Sequence, residues 1–183
     1  MIMKFRTKIH YIFKLKRFNL KFILVLISVL LLYSCRKLED FPVEPYIEFV
    51  SITKIDNGTA VDDKAILKFF FTDGDGDIGL SQSDTLPPFD TSSVYYYNFF
   101  IDYFEKQNGV FKKIDLPLTQ NARIPVLNTS TANKALKGHI EVEVFINNIL
   151  SQYDTIKFQF KICDRALNMS NIAQTDEIIV KKQ

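Results

Sequence analysis

Residues 140–146 read Ile140-Glu141-Val142-Glu143-Val144-Phe145-Ile146, and residues 156–162 read Ile156-Lys157-Phe158-Gln159-Phe160-Lys161-Ile162. Alternation of this kind sends every second side chain to one face of an extended chain, so each stretch reads as a strand with one buried and one solvated side. The polar connection between them, residues 148–154, suits a hairpin. Ala65, Leu67, Phe69 and Phe71 form the same kind of face, and Ile66 and Phe70 on the reverse place that strand centrally. Tyr95, Tyr97, Phe99, Ile101 and Tyr103 form another, after which Asn108-Gly109 supplies a two-residue turn leading into residues 110–114. An opening strand over 46–55 and a closing one over 175–181 complete a set of seven or eight.

No segment after the N-terminal region keeps a helical period, so the chain is expected to be all-β. The strand count and the turn signals fit an antiparallel sandwich of immunoglobulin-like or fibronectin-like type, with a closed barrel as the lesser alternative. Aromatic residues make up 14% of the chain and tryptophan is absent, so Phe and Tyr must fill the core. The Cys–Trp–Cys pattern of antibody domains is missing. Residues 86–93 (Leu-Pro-Pro-Phe-Asp-Thr-Ser-Ser) read as a mobile loop.

The N-terminal stretch has a different character. Seven basic residues and no acidic one precede residue 22, an apolar run of about a dozen residues follows, and Leu32-Tyr33-Ser34-Cys35 closes it. The run is shorter than the ~20 residues a membrane span needs and matches the apolar region of a secretory signal. Leu32 to Cys35 resembles the lipobox of bacterial lipoproteins, which implies cleavage before Cys35 and acylation of that cysteine. Two chains, each contributing about 0.8 kcal/mol per buried CH₂, give stable anchoring. The expected organisation is a signal peptide over 1–34, the lipidated cysteine and a tether over 35–45, and the β domain over 46–183. Glu39 and Asp40 resemble the acidic export signals of some Gram-negative lipoproteins, so the expected address is the outer membrane, on a side the sequence leaves open.

Loss of the signal removes seven basic residues, leaving 16 Lys and Arg against 21 Asp and Glu, a net charge of −5. That acidic balance speaks against nucleic acid, whose binders carry basic patches. Cys35 and Cys163 are the only cysteines, so there is no disulfide framework.

Two loops carry the chemistry. The first, Thr72-Asp73-Gly74-Asp75-Gly76-Asp77-Ile78-Gly79, places three carboxylates at every second position with glycines between. Ca²⁺ takes six to eight oxygens, and such a loop can curl around it without crowding. The segment resembles Asp-x-Asp-x-Asp calcium loops of the EF-hand and thrombospondin-repeat kind. That resemblance implies Asp73, Asp75 and Asp77 as the leading ligands, with the Gly79 carbonyl, Ser81 and Asp84 following. Ile78 stands where an EF loop has glycine, and a strand precedes the loop rather than a helix, so it is no EF-hand. An ion-free Asp/Gly turn is the alternative. The second loop, Asp164-Arg165-Ala166-Leu167-Asn168-Met169-Ser170, resembles the Asp-x-Ala-Gly-Asn-x-Ser signature of bacterial immunoglobulin-like domains. Its plain reading is a turn in which Asp164 and Asn168 bond the backbone. In a seven-strand sandwich both loops fall at one end, where Asp164 or Asn168 can join the cation shell.

Tyr96 and Phe100, within Tyr95-Tyr96-Tyr97-Asn98-Phe99-Phe100, are candidate contacts for a sugar or protein if they face outward; core packing is the alternative. No nucleophile elbow, zincin motif or phosphate loop occurs, and His139 is the only histidine after the signal. The expected function is therefore a non-catalytic binding module, calcium-stiffened, with a protein or glycan partner. An accessory subunit of an envelope complex and a small glycan-acting enzyme are the alternatives. As a whole the chain resembles bacterial envelope lipoproteins that carry an Asp-Gly-Asp-Gly-Asp-Ile-Gly loop on a β-sandwich.

Overall fold

The computed structural model describes residues 40–127 and 135–182, together with Phe22, Leu24 and Val25. Those three residues are helical; the rest of the signal segment, Cys35 and residues 36–39 of the tether lie outside the described residues. Among the described residues no helix is long and apolar enough to cross a membrane.

The described residues between 40 and 182 hold eight strands: β1 (Tyr46–Lys54), β2 (Lys64–Asp73), β3 (Phe99–Gln107), β4 (Val110–Ile114), β5 (Leu136–Phe145), β6 (Thr155–Ile162), β7 (Ala173–Gln174) and β8 (Ile178–Ile179). They form two antiparallel sheets. One runs β1-β2-β5; the other runs β4-β3-β6-β7, with β8 also pairing β6. This is an immunoglobulin-like, fibronectin-like sandwich.

The alternating stretches dictate which faces meet. Ala65, Leu67, Phe69 and Phe71 of β2 are buried, as are Ile156, Phe158, Phe160 and Ile162 of β6, while the residues alternating between them are half exposed. Phe69 lies at the centre: its ring stacks on Phe99 of β3 at 5.8 Å and tilts against Phe160 of β6 at 5.3 Å. Burying one such ring stabilises by about 1.5–3 kcal/mol, and the offset aromatic pairs add to that. Asn108 (φ 53°) and Gly109 (φ 82°) turn the β3–β4 hairpin as expected of a type I′ pair.

Three expectations need correction. First, β5 and β6 are not a hairpin. β5 pairs β2 and β6 pairs β3, so the connection between them crosses from one sheet to the other. A buried carboxylate explains the crossing. Glu105 of β3 accepts from Asn148 Nδ2 (2.9 Å) and Ser151 Oγ (2.8 Å), and Lys182 Nζ caps the carbonyls of Asn148 and Ser151. Second, the strand expected from Tyr95 begins only at Phe99. Val94–Tyr96 is a 3₁₀ turn started by Ser93, whose Oγ accepts from Tyr95 N, and Asn98 is turned aside to pair with Ile124. Third, the closing strand is split into β7 and β8. The Thr175 hydroxyl takes the Phe158 N–H that a backbone carbonyl would otherwise receive, which breaks the ladder there.

Two side-chain amides secure the three-stranded sheet. Asn171 exchanges both hydrogen bonds with Ile47 on the outer edge of β1, at 2.8 and 2.9 Å. Gln120 does the same with Phe145 on β5, at 3.0 and 2.8 Å. Each mimics a strand partner and blocks an edge that invites intermolecular pairing.

Replacing Phe69 with Ala removes the ring that three strands share. The expected loss is about 3–5 kcal/mol, read as a lowered urea midpoint at unchanged slope.

Candidate metal site

Asp73 is the last residue of β2 and Asp164 follows β6 by two positions. Because β2 and β6 lie in facing sheets and both end at the same pole of the sandwich, their terminal loops meet. Asp73, Asp77 and Asp164 each direct one carboxylate oxygen to a common point, the three atoms lying within 4.8 Å of one another. Asp73 is fully buried and Asp164 is 1% exposed.

Part of each carboxylate is held by the fold. Ile78 N donates to Asp73 Oδ2 (3.1 Å), and the backbone N–H groups of Arg165 and Ala166 donate to Asp77. Asn168 donates twice to Asp164, from its backbone N (2.7 Å) and from Nδ2 (2.9 Å). The other oxygens of the first loop are left over: Oδ1 of Asp73, Asp75 and Asp77 are buried with no hydrogen-bond partner. Burying an unsatisfied acceptor costs about 1–3 kcal/mol, and more for a charged one. Three such atoms in one loop form an oxygen donor set that calls for a cation, protons or bound water.

The electrostatics agree. Burial first, then the nearby charges of Asp75 and Asp77, push the Asp73 carboxyl up to about 7. Asp77 is raised as well, by burial and by the charges of Asp164 and Asp75. Burial and the charges of Asp164 and Asp77 also raise the neighbouring Cys163 thiol, to about 11. Burial and the raised pKa both disfavour the reactive thiolate at Cys163.

Glycines make the loop possible. Gly74 donates its N–H to Pro42 O (2.8 Å), and a Cβ there would collide with the carbonyls of Phe41 and Pro42. Gly79 (φ 118°) lies against Pro125 and Val126, where a Cβ would also overlap backbone atoms. The acidic loop is therefore wedged between the tether and residues 124–127.

Asp84 departs from the calcium-loop template. Its carboxylate makes a paired contact with Arg165 (2.6 and 3.0 Å) and accepts from Ser81 N, which holds it well below the usual carboxylate range. The Gly79 carbonyl also accepts from Arg165, at 3.4 Å. Both point to the arginine, because the chain after Ile78 turns away instead of wrapping the loop. Asn168 orients Asp164 by donating to it. Tyr96 sits in the 3₁₀ turn with the Arg123 guanidinium 4.9 Å from its ring, whereas Phe100 lies on the outer face of β3 beneath Lys161. They do not share one strand face.

Two arginines escaped the sequence reading. Arg123 donates to the carbonyls of Tyr96, Ser81 and Asp84 at 2.9–3.1 Å and reaches Phe89 O at 3.5 Å, ordering the long β2–β3 connection. Arg165 ties that connection to the Asp164 loop. Its adjacency to Asp164 was the available signal; nothing local marks Arg123.

No family model matches this sequence, and no curated protein matches it. Among solved structures, the crystal structure of a Niemann-Pick type C2 protein from Japanese carpenter ant is 11% identical, with a TM-score of 0.32 over 77% of this chain and all of that one. A likeness of that size carries no functional argument.

The raised Asp73 carboxyl has a pH consequence for the metal-free protein. Between the unfolded value near 4 and the folded value of about 7, the native state binds the extra proton, so stability falls as pH rises through that window. Melts in EDTA should therefore give a higher Tm at pH 5 than at pH 8. Gly74→Ala should lose about 1–3 kcal/mol, because Phe41 and Pro42 must move aside; chemical denaturation measures it.

Proposed function

We propose that this chain is a lipid-anchored, non-catalytic binding module of the bacterial envelope whose Asp73–Asp77–Asp164 cluster holds Ca²⁺. The observation that carries the cation is the set of buried, unpartnered oxygens on Asp73, Asp75 and Asp77, converging with Asp164 from the facing sheet. All the donors are hard oxygens, which favours Ca²⁺ or Mg²⁺ over softer metals. The irregular loop suits the flexible, high coordination of Ca²⁺ better than the near-ideal octahedron Mg²⁺ demands.

The ion does structural work in this reading. It cross-links the end of β2 to the turn after β6, replacing charge repulsion with a bond between the two sheets. The signal-like N-terminus and Cys35 supply the address, the outer membrane of a Gram-negative cell. The β-sandwich presents its loops to a protein or glycan partner. Among the described residues no base or nucleophile accompanies the acids of the cluster: the Cys163 thiol is buried and its pKa raised, and His139 lies on β5, its ring against Phe70.

Thermal melts of the purified protein in EDTA, Ca²⁺ and Mg²⁺ test the ion. At a hundredfold excess over Kd, Ca²⁺ should add about 2.7 kcal/mol, with little effect from Mg²⁺. Asp164→Asn should abolish that gain and raise the Tm in EDTA, because it removes one of the repelling charges. A Ca²⁺-independent Tm would reduce the cluster to a protonated acid turn. Mass spectrometry of the protein from a Gram-negative host tests the anchor, which requires an acylated Cys35 at the mature N-terminus.

A further inference from the structure

The tether enters the domain at the same pole as the acidic cluster, because Pro42 O accepts from Gly74 N between Asp73 and Asp75. β1 then starts at Tyr46, opposite Thr72 of β2, and runs away from that pole. Five peptide steps separate Cys35 from Asp40. Fully extended, they reach at most about 18 Å. The ten residues of β2 alone span about 33 Å, so the opposite pole lies well beyond that reach.

The cluster pole also carries exposed apolar side chains. Val43 (49% exposed) follows the residue pinned to Gly74, and Leu86 (76%) projects from the connection that Arg123 and Arg165 hold in place. Val126 borders Gly79, with Leu127 next in the chain, and Met169 pairs with Cys163 beside the Asp164 loop. They come from four separate segments with no common role in the core. Aliphatic side chains around a short lipidated tether match the boundary between headgroups and acyl chains. Four carboxylates at that pole would oppose a bilayer carrying anionic lipid, and a bound divalent cation offsets half of their charge.

We infer that the cation pole, with Leu86, Val126 and Met169 around it, rests on the lipid surface, so the domain stands with the Asn148–Ser151 end pointing away from the membrane. This rests on the anchoring reading above.

The absence of tryptophan makes the orientation measurable. Leu86→Trp and Ile149→Trp each introduce a single reporter at a strongly exposed position, one at each pole, so neither should disturb folding. The full chain, processed in a Gram-negative host, is reconstituted in Ca²⁺ into vesicles of phosphatidylcholine, with or without bromine on the acyl chains. Tryptophan favours the interface wherever it can reach it, so each variant controls for the other. Brominated lipid should quench Leu86→Trp at least about twofold and leave Ile149→Trp unchanged. Equal quenching of both would mean a domain lying on its side, and quenching of neither a domain held clear of the bilayer; either overturns the inference while leaving the anchor intact. A mass without acyl chains would overturn the anchor itself, and the inference with it.

Discussion

The contact of Phe69 with Phe99 and Phe160 is the interaction on which the rest depends. It locks the central strand of one sheet over two neighbouring strands of the other. Once that stack is in register, the ends of β2 and β6 have no freedom to separate. Asp73 and Asp164 are then forced together whether or not their charges favour it. An apolar core of this kind can sustain a locally unfavourable site, because each buried ring returns a few kcal/mol against the cost of each unsatisfied oxygen.

Glu105 and Asp73 show how differently a buried carboxylate can be treated in the same fold. Glu105 is 1% exposed yet fully engaged, with Asn148 and Ser151 donating to it, and it fixes the path of the chain at the far pole. Asp73 is just as buried and left half satisfied. The first is a structural acceptor with its donors built in. The second has donors for one oxygen only, and its fellow acids compound the deficit. That contrast, more than the acidic composition of the loop, is what marks it as a candidate cation site.

Much of the architecture was legible from residues 65–71, 140–146 and 156–162, because a sandwich strand with one buried face must alternate. The Asn108-Gly109 turn was legible for a local reason, its two positive φ angles. Sheet membership was not. Whether β5 and β6 form a hairpin or cross between sheets rests on Glu105 and Lys182, which are remote in sequence from the connection they hold. The break at Thr175 rests on a single hydroxyl taking a backbone role, and no pattern of hydrophobicity records that. Of the acids, Asp73, Asp77 and Asp164 could be placed together from spacing and strand order. Asp84 pairs with Arg165 from across the fold, a contact that a loop template running along the chain does not record.

The hydrogen bond between Gly74 and Pro42 also sets how the molecule meets force. The chain enters at one pole and continues along β1 toward the other, so tension applied between Pro42 and the loops of the far pole runs parallel to the strands. The rungs of the β1–β2 ladder are then loaded together in shear instead of being peeled one after another. Asn171 adds a second fastening on the outer side of β1, at Ile47, close to where the pull arrives. A tether leaving from the other end of β1 would have made the same strand a zipper.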